Sequence, residues 1–170
     1  METNTKGFTA VMAQRREPPN ALDYFPTPLW SSRALFRHVL PALGIESVDR
    51  VWEPACGEGH MASVITEFAR KWVLASDIFD YGYGTAPHDF LHYDPLTKPD
   101  WVVTNPPFNL ACEFTLRALD IALEGVAMLV RTQCPSPNRV IHDRCIQYPC
   151  RSMSVVTPIA TLLFRAAKRR

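Results

Sequence analysis

Short apolar runs recur along the chain, and most give way to a stretch of different period. "SVDRVWEPACGEGH" runs apolar into a tight glycine turn, and Met61, Val64, Ile65 and Phe68 then fall on one helical face. That succession predicts strand, turn, helix. "KWVLASDI" predicts a second short buried strand ending in Ser76 and Asp77. "DWVVTN" predicts a third. Ala111, Phe114, Ala118, Ile121 and Ala122 then return to helical spacing, and "GVAMLV" predicts a fourth strand. Ahead of all these, Ser32, Leu35, Phe36, Val39 and Leu40 predict a helix that Thr27 caps and Pro28 opens, with Pro41 and Gly44 closing it. Tyr81 to Pro99 is rich in Gly, Pro and His and predicts loop, with a small strand or turn near "HDFL".

Strands alternating with helices predict an α/β fold, an open and mostly parallel sheet with helices on both faces. Crossovers should be right-handed, and ligands should meet the carboxyl ends of the strands. No internal repeat interrupts the pattern.

Length and composition narrow this little: 170 residues suit one domain, and 47% hydrophobic with 21% charged residues is the balance of a globular chain. No apolar run reaches the length of a membrane span and the first twenty residues lack a secretory signal, so a cytoplasmic protein without a membrane is expected. Five cysteines, an odd number, suit reduced thiols. Charge changes the picture more. Residues 134–170 carry seven basic residues and one acidic, a net of +6, against eleven and sixteen in the remainder, a net of −5. Three regions follow: a mobile arm over 1–22, a folded body over 23–133, and a basic, proline-interrupted segment over 134–170.

On the expected binding edge stand "EPACGEG" (53–59), "SDI" (76–78) and "NPPF" (105–108). The glycine turn admits a ligand close to the backbone, and the helix beginning near His60 offers free amides to an anionic group. Asp77, at a strand end, can accept hydrogen bonds from ribose hydroxyls. Glycine-x-glycine alone is a weak signal; joined to an acidic residue at the next strand end it favours a nucleoside-bearing ligand. Pro106 and Pro107 cannot extend a ladder, so β pairing must halt where Asn105 and Phe108 are held.

These motifs resemble those of S-adenosylmethionine-dependent DNA methyltransferases of the adenine-N6 kind, over about residues 22 to 133. "EPACGEG" resembles the family's cofactor loop, "NPPF" its catalytic motif, and "DYFPTP" the segment that closes over the cofactor. Only about fifty residues separate loop and catalytic motif, which leaves no room for an inserted recognition domain there. The resemblance implies a Rossmann-like fold with S-adenosyl-L-methionine as cofactor. It implies that Thr27 contacts the methionine part and that Glu53, Ala55, Cys56 and Gly57 line the methionine and sulfonium pocket. Asp77 would hold the ribose, Ile78 would pack on the adenine, and Asp89 would bond the adenine amino group with Phe90 beside it.

For catalysis it implies that the Asn105 oxygen and the Pro106 carbonyl accept the two N–H bonds of an exocyclic amine, with Pro107 stiffening the turn. An exocyclic nitrogen is a poor nucleophile while its lone pair is delocalised, and paired acceptors favour a pyramidal nitrogen. Phe108 would stack on a base swung out of the helix, for on the order of 1–3 kcal/mol. Neither a metal nor a covalent enzyme intermediate is needed. DNA is the implied partner.

Other groups have plainer readings. Cys56 suits a small packed side chain, and His60, His88 and His92 suit surface or core features. Trp30, Trp52 and Trp101 suit the core. Cys134, Cys145 and Cys150 with His142 lack any C-x-x-C pair, so zinc is not expected. The resemblance stops near "MLVRTQ", where a family member would continue into another helix and a final antiparallel strand pair. The sheet is therefore expected to be incomplete at that pair, with "VVTPIATLLF" giving one strand or a short helix. A tail too short for a recognition domain leaves room for a partner protein that supplies target recognition. Methyl transfer to cytosine-N4, RNA guanine-N2 or protein glutamine, and a silent fold that binds cofactor or nucleic acid, remain alternatives; "YFPTP" favours DNA adenine.

Overall fold

The computed structural model describes residues 25–85, 87–129, 155–157 and 160–162. The arm over 1–22 and nearly all of the basic tail, with its cysteines, lie outside the described residues.

Strands β1 (Val48–Glu53), β2 (Ala69–Ala75), β3 (Trp101–Thr104) and β4 (Gly125–Met128) form a parallel sheet in the order β2-β1-β3-β4. Helix α3 (His60–Phe68) links β1 to β2, and α4 (Ala111–Ile121) links β3 to β4. Two apolar clusters show that both faces are covered. Val51, Trp101, Val103 and Ala127 pack with Leu35, Phe36, Met61, Val64 and Ile65 on one side. Trp52, Val102, Val126 and Met128 pack with Phe90, Phe114, Ala118 and Ile121 on the other. Neighbours along each strand thus point to opposite layers, the two-residue period of a pleated strand. The sheet edge away from the loops is fastened by Arg50, whose backbone N and Nε donate to Asp100 Oδ2 at 3.1 and 2.8 Å while Nη2 pairs with Oδ1.

The first helical segment runs as α1 (Leu29–Ala34), a π-helical turn (Leu35–Val39) and α2 (Leu40–Ala42). The widened turn falls just before Pro41, whose missing N–H already breaks the regular ladder. Two expectations change here. Thr27 does not cap the helix; Pro28 occupies the cap position without a side-chain bond, and its carbonyl accepts from the Ser31 amide and hydroxyl. Trp30 is not core but 70% exposed, because Ser32, Leu35 and Phe36 take the inward side and Trp30 stands opposite them. Trp52 and Trp101 are buried as expected.

The stretch expected to give one strand or a short helix gives two strands instead. β5 (Val155–Thr157) and β6 (Ala160–Leu162) pair antiparallel as a sheet of their own, outside the four-stranded one. Among the described residues the parallel sheet ends at β4, and no helix is long and apolar enough to cross a membrane.

Candidate active site

Strand order reverses at β1, which has β2 on one side and β3 on the other, so a crevice opens above the carboxyl ends of β1 and β3. A cavity of about 180 Å³ lies there. Its wall combines Glu53, Ala55 and Cys56 after β1, Asp77 and Ile78 after β2, Asp89 and Phe90 in the following turn, Asn105 and Pro107 after β3, and Thr27 ahead of α1. Three sequence candidates sit behind or beside the wall. Gly57 is bonded to Asp77, Pro106 is buried, and the Phe108 ring lies 4.9 Å from that of Phe25.

The glycine turn holds Gly57 at φ 51 and Gly59 at φ 82, both in the left-handed region, and Gly59 is the N-cap of α3. The Tyr83 ring lies directly over Gly59; a Cβ there would stand 2.5 Å from ring carbons. The expected free amides are not all free. Gly57 N donates to Asp77 Oδ2 at 2.9 Å and Gly59 N to the Cys56 carbonyl at 2.8 Å. The turn uses these amides to hold its own shape, which leaves a poorer anion site than the sequence suggests.

Asp77 is buried, and its second oxygen accepts from Phe79 N at 3.1 Å. Glu53 is 2% exposed, and Oε2 has no hydrogen-bond partner. Burial first, and the nearby Asp77 charge second, push its carboxyl well above the usual carboxylate range, against a backbone bond from Ala62. Burial, then Glu53 and Asp77, push the Cys56 thiol up to about 12. A thiol so protonated is a poor nucleophile, which agrees with a packing role for Cys56.

Asp89 lines the cavity with its carboxylate already engaged. Oδ1 accepts from Leu91 N at 3.0 Å and Oδ2 lies 2.8 Å from His92 Nδ1, which holds the carboxyl below the usual range. Phe90 is buried against Trp52 and Phe114. Like His60, His88 lies in the cavity wall. Its ring packs 4.4 Å from Tyr93 and its buried Nδ1 has no partner.

Asn105 is held through one end of its amide. Nδ2 donates to the Phe25 carbonyl and to Thr27 Oγ1, each at 3.1 Å. A carbonyl oxygen only accepts, so the NH₂ end must face Phe25 and the oxygen must face the other way. Oδ1 is buried with no partner. Phe25 and Tyr83 were not singled out from the sequence. Phe25 stood inside the quoted closing segment and Tyr83 inside "YGYG", but neither position carries a periodic signal.

Among the described residues no group of three His, Cys, Asp or Glu side chains is placed to hold a metal. The cysteine trio weighed for zinc lies outside the described residues.

No family model matches the chain, and no curated protein matches it in sequence. Solved structures do match in shape. A candidate RNA methyltransferase from Pyrococcus horikoshii superposes with a TM-score of 0.64 at 16% identity, over 90% of this chain and 91% of that one. The chain has the Rossmann-like methyltransferase fold. Magnesium protoporphyrin IX methyltransferase from Synechocystis, solved with bound S-adenosylmethionine, gives a TM-score of 0.58 at 13% identity over 82% and 79%. A candidate S-adenosylmethionine-dependent methyltransferase from Methanococcus maripaludis gives 0.52 at 10% identity over 84% and 87%.

Proposed function

We propose that this chain uses S-adenosylmethionine to methylate an exocyclic amino group, and that the group is N6 of adenine in DNA. The observation that carries the reading is the buried, unpartnered Oδ1 of Asn105, in an amide whose other end is already bound. An unmet buried acceptor costs free energy, and a substrate N–H would satisfy it.

The donor set fits the cofactor. Glu53, Asp77 and Asp89 line the cavity, and among the described residues no lysine or arginine lines it. Such a wall disfavours phosphates, as in dinucleotides, and suits a ligand bearing positive charge. Glu53 Oε2 would meet the cofactor's ammonium end, Asp77 its ribose, and Ile78, 59% exposed, its adenine face. When bound, S-adenosylmethionine supplies an electrophilic methyl group.

Asn105 Oδ1 and the Pro106 carbonyl accept the amine's two N–H bonds and favour a pyramidal nitrogen. Pro106 and Pro107 keep both acceptors in place, so little reorganisation accompanies the reaction. Phe108 stacks on the flipped base. The choice of DNA adenine over cytosine, RNA guanine or protein glutamine rests on the "YFPTP" segment, which here meets Asn105 through Phe25 and Thr27. In this reading the basic tail adds salt-sensitive attraction to phosphates, and a partner protein supplies target recognition.

Incubation with methyl-labelled S-adenosylmethionine and unmodified DNA, followed by digestion to nucleosides, tests the proposal. N6-methyladenine is expected, and Asn105→Ala should remove it while leaving cofactor affinity within about twofold. Label on any other nucleoside would reject the adenine assignment. Near-normal turnover by folded Asn105→Ala would reject the mechanism.

A further inference from the structure

An asparagine amide can sit in either of two orientations of almost the same shape, so the polarity of its neighbours decides which way the oxygen points. For Asn105 both bonds from Nδ2 go to one short segment ahead of α1, each at 3.1 Å: the Phe25 carbonyl, which can only accept, sets the polarity, and the Thr27 hydroxyl accepts the second hydrogen. We propose that Thr27 is a positioning residue, whose hydroxyl fixes the Asn105 amide with Oδ1 turned toward the substrate amine. This rests on the reading of Asn105 as the amine acceptor.

The setting of Thr27 suits the task. Thr27 lies between Pro26 and Pro28, which restrict the backbone on both sides. A β-branched side chain adds a stiff first torsion, so the hydroxyl is held without a long flexible stem. Thr27 is 6% exposed, so water does not readily take the place of a lost hydroxyl. It makes no cap bond to α1, and among the described residues its hydroxyl bonds to Asn105.

Without that oxygen, one Nδ2 hydrogen would lose its acceptor in a buried place, and the amide would be held by the Phe25 carbonyl alone and turn more readily. Oδ1 would then spend part of its time away from the incoming amine. The Phe25 carbonyl is main chain and stays whatever residue stands at 25, so the side chain at 27 is the part that substitution can remove. Thr27→Val deletes the oxygen and keeps the shape. Thr27→Ser keeps the oxygen and loses the methyl group.

Two measurements on the full chain decide the matter. The first is hydrogen exchange of the Asn105 side-chain amide by NMR, with its resonances assigned by comparison with Asn105→Ala. Exchange should quicken by about fivefold or more in Thr27→Val, as expected for a lost buried hydrogen bond, and return toward wild type in Thr27→Ser. Unchanged exchange in Thr27→Val overturns the proposal, and so does a serine variant that exchanges as fast as the valine one.

The second is turnover with methyl-labelled S-adenosylmethionine and unmodified DNA. Thr27→Val should lower kcat about ten- to a hundredfold with KM for DNA within about twofold, because misplacement acts on the chemical step. Thr27→Ser should recover most of the rate. An inactive Asn105→Ala beside a fully active Thr27→Val overturns the positioning role and leaves the Asn105 reading standing. An active Asn105→Ala, or a wild-type chain that transfers no methyl group, rejects the Asn105 reading instead, and amide exchange still decides whether Thr27 orients the side chain.

Discussion

Gly57 donates its backbone amide to Asp77 Oδ2 at 2.9 Å, so one carboxylate ties the loop after β1 to the loop after β2. Its other oxygen accepts from Phe79 N. Asp77 therefore shapes the site as well as facing the cavity. Asp77→Ala should weaken S-adenosylmethionine binding by about 1.5–3 kcal/mol, and should also loosen the glycine turn. Calorimetry measures the first effect and amide exchange at Gly57 the second. Unchanged affinity would remove Asp77 from the cofactor site.

If Glu53 meets the cofactor's cation as proposed, pH should act on cofactor affinity through it. Burial, then Asp77, raise its carboxyl in the folded protein above the unfolded value of about 4.3. A raised carboxyl contributes stability that is present below the unfolded value and is lost as pH rises through the folded one. Glu53→Gln escapes this loss, so its Tm should gain on wild type as pH rises above the unfolded value of about 4.3. A cationic ligand favours the ionised form, so wild-type affinity for S-adenosylmethionine should increase as pH rises, whereas Glu53→Gln should bind weakly and nearly independently of pH. A flat wild-type profile would mean that Glu53 does not meet the cation.

Gly59 is constrained twice, by φ 82 and by the Tyr83 ring 2.5 Å from where a Cβ would stand. Gly59→Ala should destabilise the fold by about 1–3 kcal/mol, read from urea denaturation. Adding Tyr83→Ala should recover the steric part of the loss and leave the backbone strain. Equal stability of Gly59→Ala and wild type would mean that the turn relaxes without strain.

At the opposite end of the sheet, Arg50 holds the Asp100 carboxyl below the ordinary carboxylate range, chiefly through its side-chain hydrogen bond. A lowered carboxyl contributes stability above its unfolded value of about 3.9, lost as pH falls through the folded one. Asp100→Asn should therefore cost about 1–3 kcal/mol at neutral pH, and the gap to wild type should close below about pH 4. A gap that persists in acid would show that shape rather than charge is at work.

Much of the fold was legible because strand and helix periods alternate cleanly. Trp52 and Val102 point to one layer and Val51 and Val103 to the other, which a two-residue period already implies. The candidate residues were legible as motifs, and ten of the thirteen line one cavity. What the sequence hid was pairing. Nothing local says that Thr27 will serve Asn105 rather than cap the helix beside it, because the partners are 78 residues apart. Nor does the glycine motif reveal that its amides turn inward to Asp77 and Cys56. Trp30 misled because a tryptophan signals burial only when its helical face is known.

The Arg50–Asp100 fastening has a consequence for how such a protein can change over time. Asp100 also presents its carbonyl to the amides of Glu124 and Gly125, so β1, β3 and the approach to β4 are gathered at one end. The cavity lies at the other end. Loops there can lengthen, shorten or trade residues while the gathered end keeps the strands in register. Substrate preference becomes an inheritable trait that can drift with little penalty to folding, much as a tool head is swapped on an unchanged handle.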